Sequence, residues 1–369
     1  MGHEAKRARV DADGYRPGAE MEAGDLEILR LILRGGSVID WKRLHFREAG
    51  EVDHFLRLNL LDLANPRDER RLRAILFQAV EYLRSAFGYR VADLVSNPTD
   101  LRHLFLLASG AAEPQRYRRI ACVVLKCMHV VHHLEARELL FRTAIREADL
   151  AERVDRRVMA VARSMVDAGF PVLEFHGNVK TRQSLVTKLL VKRETVAAQV
   201  FDRVRYRVVT RARDQIPPVL RHLCDALFPF NFVVPGQASN SLLSFRNVVG
   251  QHPRAEEVVR HLQAPLELEA GGRARSNEFS SRSYRALNFV VDIPVRIDDL
   301  LPPEPPPGAE DLGRVVFSLV EFQVLDEETA RHNEEGPARH ERYKRRQLKR
   351  VLRRLSRGLV VPKKAERKV

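Results

Sequence analysis

The chain has 369 residues, of which 44% are hydrophobic, so it can bury a sizeable core, and its length predicts about two domains. No run of about 18 apolar residues occurs, so the sequence predicts neither a transmembrane helix nor a membrane partner. The formal net charge is +14, and the segment from Arg339 to Val369 holds 14 Lys or Arg residues against two Glu residues, a difference of +12.

The first residues and the cysteine usage predict the compartment. Residues 1–22 are polar and charged, and they lack the apolar stretch of a secretory signal. The three cysteines, Cys122, Cys127 and Cys224, are an odd number without metal-ligand spacing. These observations predict a cytoplasmic protein whose thiols stay reduced.

Composition divides the chain into four segments. Residues 1–24 are polar and predict a disordered leader. Residues 25–172 predict an all-helical accessory domain, because apolar residues recur at helical spacing, as between Leu72 and Leu83. Residues 173–357 alternate between strand and helix patterns, and residues 358–369 form a basic tail. The predicted fold class is therefore α+β.

A cluster of histidines lies on one predicted helix of the first half. Its members are His129, His132 and His133, with Glu135 close by in sequence. The cluster suggests a metal site, but no partner cluster is evident. The helix is apolar, so histidines satisfied in the core or on the surface are the favoured interpretation.

The next region begins with a predicted loop, Gly177–Lys180, followed by a helix to about Val200. Cations and one hydroxyl are spaced by four on this helix and form a single stripe: Lys180, Ser184, Lys188 and Lys192. Two interpretations stay open. The stripe is either a solvated lysine face or a binding site for a polyphosphate.

Further strands and helices are predicted after this stripe. They are a strand Phe201–Val209, a helix Asp214–Phe228, a short strand Asn231–Val234, a helix near Arg254–Leu262 and a strand Leu287–Ile297. On the first strand, Arg203, Arg205 and Arg207 share one face, and Asp202 stands at its entry.

The strand Phe317–Val324 carries two polar residues on an otherwise apolar pattern. Glu321 and Gln323 share a face with Leu319, while the opposite face is nearly all apolar and is predicted to be core. Burying a carboxylate beside an amide is costly unless a metal ion or polar ligand uses them. The alternative is that this face lies open to water.

Two helices are predicted to close the domain. Asp326–Glu335 is acidic, and Pro337–Leu355 is basic and amphipathic, with an apolar stripe of Leu348, Val351, Leu352 and Leu355. The basic helix is either a solvated helix end or a contact for RNA phosphates. A metal site formed by His332, Glu334, Glu335 and His340 is less favoured, because helical spacing and acidic context indicate solvated residues.

The order of these parts resembles the synthetase domain of the RelA/SpoT family, the nucleotidyltransferase-like (p)ppGpp alarmone synthetases. The resemblance covers about residues 175–347. Four short motifs carry it: Gly177-Asn-Val-Lys180 with Ser184 and Lys188; Asp202 with Arg207; Glu321-Phe-Gln323; and Glu334-Glu-Gly-Pro-Ala-Arg-His340-Glu-Arg-Tyr-Lys344. Tyr284, placed before a strand, matches a further family position.

The resemblance implies a mixed sheet of about five strands flanked by helices. It also implies transfer of pyrophosphate from ATP to the 3′-hydroxyl of GDP or GTP. Asp202 and Glu321 match the residues that hold Mg²⁺, and Glu321 also matches the base that takes the hydroxyl proton. The remaining matches are with substrate-binding positions: Lys180, Ser184 and Lys188 near the ATP phosphates, Tyr284 stacked on guanine, and Arg207, Gln323, His340 and Lys344 in the same cleft.

Two spatial predictions follow from these matches. The carboxylates of Asp202 and Glu321 should lie about 4–7 Å apart, so that they can share one magnesium ion. Lys180, Ser184 and Lys188 should line the cleft that contains Glu321. Asp202 and Arg207 are separated by an odd number of residues, so a bulge intervenes or Asp202 lies in the preceding turn.

The chain departs from the family pattern at positions near the two bases. These are Asn178 in place of an Arg, Ser280-Ser-Arg-Ser-Tyr284 in place of Lys-Pro-Asn-Gly-Tyr, Asn288 in place of a His, and Leu325 in place of an Arg. The departures predict a changed acceptor. One alternative is a degenerate module that binds nucleotide or RNA without catalysis. Another is a toxin-like enzyme that modifies tRNA 3′ ends.

Overall fold

The computed structural model describes residues 21–34, 45–179, 182–191, 204–261, 283–301, 304, 307–309, 312–335 and 340–355. The predicted α+β fold class is confirmed, because a helical N-terminal half is followed by a mixed sheet of five strands. Most of the predicted leader and the whole basic tail lie outside the described residues. In the described ranges, no helix has both the length and the apolar character needed to cross a membrane.

Seven helices are described before the first strand. They are α1 (Ala23–Arg34), α2 (Ala49–Leu58), α3 (Pro66–Phe87), α4 (Asp93–Ser96), α5 (Arg102–Ser109), α6 (Arg118–Arg142) and α7 (Glu147–Asp167). The ends of α3 illustrate how local sequence sets them. The Asn65 side chain accepts from the Arg67 backbone N–H at 3.0 Å, and Gly88 ends the helix with φ 69°, a left-handed conformation that suits glycine.

Helices α2, α3, α5 and α6 pack around a core of their own. The apolar residues from Leu72 to Leu83 that predicted a helix are buried on α3, facing residues such as Leu104 on α5 and Val124 on α6. Period-3.6 patterning therefore identified this part of the core.

The sheet has the strand order β1-β2-β5-β4-β3. Its strands are β1 (Val172–Val179), β2 (Val204–Thr210), β3 (Ser239–Asn240), β4 (Leu287–Arg296) and β5 (Val315–Asp326). Strands β2 and β5 are parallel, and the other neighbouring pairs are antiparallel. The remaining helices are α8 (Arg182–Val191), α9 (Ile216–Ala226), α10 (Phe245–Gly250), α11 (Ala255–His261), α12 (Glu327–Glu334) and α13 (His340–Leu355).

One face of the sheet carries an aromatic core. Tyr206, Phe322 and Phe289 are opposite one another on β2, β5 and β4, and all three are fully buried. The Phe322 ring centroid lies 5.7 Å from that of Tyr206 and 5.5 Å from that of Phe289. Helices α1, α7 and α9 contribute buried residues to the same cluster. Helices α1 and α7 precede residue 172 and share this core with the sheet. The predicted domain boundary at residue 172 stays a prediction.

Two local predictions were wrong. Gly177–Val179 is the end of β1 and not a loop, because its backbone pairs with β2 as far as Val179↔Val204. Asn231–Val234 is not a strand. Phe230–Phe232 forms a 3₁₀ turn after Pro229, and Val233 makes one isolated bridge to Val291. The apolar stripe predicted on α13 is buried in part, since Val351 is buried while Leu348 and Leu355 are exposed.

Candidate functional site

The opposite face of the sheet is lined by polar side chains in two rows. Directly paired residues of neighbouring strands point to the same face. The first row crosses all five strands, through His176, Arg207, Gln323, Asn288 and Ser239. The second row consists of Asn178, Arg205 and Glu321 on β1, β2 and β5. These eight residues are called the polar face below.

In the second row, an ion pair between Arg205 and Glu321 joins β2 to β5. Nε of Arg205 donates to Oε2 of Glu321 at 2.9 Å, and Nη2 donates to Oε1 at 2.9 Å and to Oε2 at 2.8 Å. Glu321 is 9% exposed, and the side chain of Arg205 is 32% exposed. A fork-shaped guanidinium facing a carboxylate forms a strong, charge-assisted pair.

Arg207 is held between two carboxylates. Its Nη2 donates to Oε1 of Glu334 at 2.7 Å, and its Nε lies 3.2 Å from Oε2 of Glu174. Glu334 ends α12, and Glu174 lies on the edge strand β1. The guanidinium therefore ties the end of α12 to the sheet beside the polar face.

Gln323 is buried, and its amide group is hydrogen-bonded. Nε2 donates to the Tyr284 hydroxyl at 2.6 Å and to Oδ1 of Asn288 at 3.3 Å, and Nδ2 of Asn288 donates to Ser239 at 3.4 Å. These bonds offset the cost of burying the amide. The alternative that this part of the strand lies open to water is therefore wrong for Glu321 and Gln323.

The position of Tyr284 is set from two sides. Its ring packs against a small apolar cluster that includes Leu325 and Ala330. Next to it, the buried Asn333 side chain accepts from the Arg285 N–H at 3.2 Å and donates to the Arg285 carbonyl at 2.6 Å. This two-bond clamp fixes the backbone that carries Tyr284. Asn333 was not predicted as a site residue, because nothing in the acidic pattern of its helix distinguishes it.

The start of α12, which carries Asn333, is capped. Asp326 accepts from the Thr329 N–H at 3.0 Å and from its hydroxyl at 2.7 Å, and pairs with Arg213 at 3.2 Å. Burial alone would raise the pKa of Asp326, but the bonds from Thr329 and Arg213 hold that pKa below its ordinary value. Helix α12, whose Asn333 side chain holds the backbone next to Tyr284, is thus anchored at both ends.

Four of the predicted site residues come together here: Glu321, Gln323, Arg207 and Tyr284. Their motifs lie in three separate strands or loops, so the sheet assembles them from distant parts of the sequence. The bidentate partner of Glu321, Arg205, was predicted only as one of three arginines on a face. Its role depends on pairing between strands 116 residues apart, which no local pattern reveals.

The other predicted site residues lie elsewhere or outside the described ranges. Ser184 is half-buried on α8 and Lys344 is exposed on α13, and these two helices pack against each other. Lys188 belongs to α8, and His340 begins α13. Lys180 and Asp202 lie outside the described residues, so the Asp202–Glu321 separation and the lysine-lined cleft stay predictions.

The described residues do not fit a magnesium ion. Magnesium takes near-octahedral oxygen ligands and is usually held by one or two carboxylates together with water and phosphate oxygens. Both oxygens of Glu321 instead accept from Arg205. Over the described ranges, no group of three or more His, Cys, Asp and Glu side chains is placed to hold a metal ion.

The histidines of α6 pack this helix against the sheet. The His133 ring stacks on Phe317 with centroids 4.0 Å apart, and its Nδ1 lies 3.4 Å from Oδ2 of Asp292. Nδ1 of His129 is 3.2 Å from Nδ2 of Asn231. Burial, with smaller contributions from His133 and Arg71, lowers the pKa of His132 to about 3. The ring contacts of His132 and His133 with Phe317 indicate a packing role for these histidines.

Comparison of the sequence with protein-family models and with curated proteins finds no match. Comparison of the fold finds solved structures of small alarmone synthetases. Small alarmone synthetase 2 of Bacillus subtilis is 13% identical, with a TM-score of 0.28 over 63% of this chain and 86% of that one.

Two more solved structures are similar at the same level. Small alarmone synthetase 1 of Bacillus subtilis is 13% identical, with a TM-score of 0.30 over 56% of this chain and 86% of that one. A GTP pyrophosphokinase family protein from Streptococcus pneumoniae is 12% identical, with a TM-score of 0.26 over 60% of this chain and 96% of that one.

Proposed function

We propose that the polar face binds nucleotides and that the chain transfers pyrophosphate from ATP to the 3′-hydroxyl of a guanine nucleotide or a related acceptor. One observation supports this proposal above the others. Glu321, Gln323, Arg207 and Tyr284, which match separate motifs of the (p)ppGpp synthetases, share one connected face of the sheet.

The chemistry of the proposed transfer suits these residue types. The 3′-oxygen of the acceptor attacks the β-phosphorus of ATP, the bond from that phosphorus to the α–β bridging oxygen breaks, and AMP leaves. Such reactions need positioning and charge neutralisation more than covalent help from the protein. Arg205 and Arg207 are proposed to provide positive charge beside the transferred group, and Glu321 is proposed as the carboxylate that accepts the hydroxyl proton.

Tyr284 is proposed to stack on the acceptor base. An aromatic ring binds a flat base well only if its own position is fixed beforehand, because ordering it on binding costs free energy. The hydrogen bond from Gln323 to the hydroxyl and the Asn333 clamp on the adjoining backbone supply that order. The altered neighbours, Asn288 and Leu325, are consistent with an acceptor other than the usual one.

The remaining assignments rest on motif matches alone. Lys180, Ser184 and Lys188 are proposed for the ATP phosphates, and His340 and Lys344 for the same cleft. Magnesium would neutralise phosphate charge if Asp202 and Glu321 held it. Because the described residues do not fit the ion, no step above passes through it.

The proposal is tested by transfer of label from ATP that carries radioactive γ-phosphate. The full chain is incubated with separate pools of GDP, GTP, other nucleotides and tRNA, in magnesium and in EDTA. We expect one pool to become labelled, with Glu321→Gln losing the labelling. Arg146→Gln, which removes an exposed arginine paired with Asp149 at the start of α7, is the matched control and should keep the labelling. Absence of label in every pool would contradict the proposed transfer.

A second candidate function is binding of nucleotide or RNA without catalysis. The Arg205–Glu321 pair favours it, because a carboxylate held by a guanidinium is a poor acceptor for a substrate proton. The exposed cations Lys344, Arg345 and Lys349 on α13 suggest RNA as a ligand.

Binding of tRNA tests the RNA candidate at low and at physiological salt. Phosphate contacts release counterions, so binding through these cations should weaken steeply as salt rises. Changing all three to glutamine should then remove most of that salt dependence. Equal binding by the variant and the wild-type chain would exclude α13 as an RNA contact, while labelled tRNA in the transfer assay would identify a toxin-like enzyme.

A further inference from the structure

The Arg205–Glu321 pair is built into the sheet. The two residues are direct neighbours on the parallel strands β2 and β5, so backbone pairing fixes them side by side. The guanidinium reaches both carboxylate oxygens, at 2.8 to 2.9 Å. A cation therefore already neutralises the carboxylate at the centre of the polar face.

The neighbouring arginine does not have this role. Arg207 follows Arg205 on the same face of β2, and Gln323 is its partner on β5. Its guanidinium contacts the carboxylates of Glu334 and Glu174, which belong to α12 and β1. Of these two arginines on one strand, only Arg205 contacts Glu321.

A guanidinium that donates to both oxygens of a carboxylate weakens the binding of a divalent cation to the same group. It already neutralises the negative charge, and a cation bound beside it would be repelled by the guanidinium. Without either cation, the nearly buried carboxylate would repel the phosphates of a nucleotide. A cation must therefore pair with Glu321 before a polyphosphate can approach.

We propose that Arg205 supplies the positive charge that a divalent cation would supply at Glu321, so that nucleoside polyphosphates bind the polar face without a divalent metal. This inference rests on the nucleotide binding proposed above. Two consequences follow. Glu321 of the wild-type chain has little affinity for a divalent ion, and loss of the Arg205 charge makes nucleotide binding depend on metal.

The first test measures the affinity of ATP and of GDP by calorimetry, in EDTA and in magnesium chloride, at one ionic strength. Because magnesium also complexes the nucleotide, the compared quantity is the ratio of variant to wild-type affinity in each buffer. We expect Arg205→Gln to lose about tenfold or more in EDTA and to recover most of that loss in magnesium. Arg205→Lys keeps the charge but loses the bidentate geometry, so it should lose less affinity than Arg205→Gln in EDTA and should gain less from magnesium.

Two further variants separate this role from a general loss of charge. Arg207→Gln removes the same charge from the same strand but leaves the Arg205–Glu321 pair in place. It should weaken binding by a similar factor in both buffers. In the double variant Arg205→Gln/Glu321→Gln no carboxylate remains to be neutralised, so the magnesium dependence should disappear again.

The second test titrates Mn²⁺ into the nucleotide-free chain and follows the free ion by electron paramagnetic resonance. We expect Arg205→Gln to gain a Mn²⁺ site that the wild-type chain and the double variant lack. Thermal unfolding of each variant establishes that it is folded. If Arg205→Gln does not fold, the wild-type and Arg205→Lys chains still decide the question.

The outcomes distinguish this inference from the proposed function. Wild-type nucleotide binding that is lost in EDTA and restored by magnesium, or a Mn²⁺ site in the wild-type chain that Glu321→Gln removes, would overturn the inference. If no nucleotide binds in either buffer, the proposed function fails. A Mn²⁺ site gained only by Arg205→Gln would still support Arg205 as the internal cation of Glu321.

Discussion

The two faces of the sheet are built from alternate residues of the same strands, and different interactions stabilise them. On one face, Tyr206, Phe322 and Phe289 form an aromatic row across β2, β5 and β4. One residue further along each of β2 and β5, and one residue earlier on β4, the other face carries Arg207, Gln323 and Asn288.

The comparison teaches how the two buried members of the polar face, Glu321 and Gln323, are tolerated. The aromatic row is held by burial and ring contacts, which are non-directional. On the polar face, the Arg205–Glu321 ion pair and the Gln323 hydrogen bonds have defined geometry. Such groups are costly to bury alone. Each substitution there should therefore remove a contact and also leave the remaining group without its hydrogen-bond partner.

The largest expected effect is on the aromatic row. Phe322→Ala removes a fully buried ring between two others and should lower the free energy of unfolding by about 3–5 kcal/mol. Denaturant unfolding followed by circular dichroism measures this change. A loss no larger than that of an exposed substitution such as Arg146→Gln would show that this row is not the sheet's core.

The second effect concerns the Arg205–Glu321 pair. Glu321→Gln should destabilise by about 1–3 kcal/mol, less than for a fully buried pair because the Arg205 side chain is 32% exposed. The double variant Arg205→Gln/Glu321→Gln should be more stable than the sum of the two single losses predicts. A double-mutant cycle gives that coupling, and additivity of the two losses would mean that the pair contributes no coupling energy.

The third effect is at the Asn333 clamp. Asn333→Ala leaves the N–H and carbonyl of Arg285 without these partners and should cost about 1–2 kcal/mol of unfolding free energy. It should also weaken GDP binding, because Tyr284 is then less well positioned. Asn247→Ala, on the short helix α10, is a control that should leave GDP affinity unchanged. Equal GDP affinity for Asn333→Ala and wild type would rule out a positioning role.

The smallest expected effect concerns the contact between α6 and the start of β5, where His132 packs against Phe317. Burial lowers the pKa of His132 to about 3, whereas the unfolded chain binds a proton near the ordinary value of 6.5. The free energy of unfolding is therefore not reduced by His132 above about pH 6.5, and it falls as the pH is lowered from 6.5 towards 3. His129 has the same direction of shift.

Between about pH 7.5 and pH 5.5 the unfolding free energy should fall by about 1 kcal/mol more in the wild-type chain than in His132→Gln. His332→Gln, which changes an exposed histidine, is the matched control and should keep the wild-type dependence. Identical pH dependence in the wild-type and His132→Gln chains would show that His132 is not held neutral.

Local sequence pattern predicted the helical N-terminal half, the core of α3, the helices α8, α9, α11, α12 and α13, and the strands β2, β4 and β5. It failed where contacts between distant segments decide the structure. Gly177 was assigned to a loop, yet it lies in β1, where it pairs with Tyr206 of β2. A Cβ at this position would lie 2.7 Å from the Tyr206 ring. Glycine at this position permits the close approach, a requirement that appears only once the strands are paired.

The site was predicted in the same partial way. Motif order pointed to Glu321, Gln323, Arg207 and Tyr284, which the sheet brings together. The pairing of Glu321 with Arg205 and the clamp from Asn333 to Arg285 depend on strand register and on the docking of α12. Neither feature has a local sequence signal, and both change what the predicted residues can do.

The measurement that tests the central claim most directly is the identity of the adenine product when the chain, ATP and the preferred acceptor react. Pyrophosphate transfer predicts AMP and pyrophosphorylated acceptor in equal amounts, both absent with Glu321→Gln. Formation of ADP and free phosphate, or nucleotide binding with neither product, would contradict it.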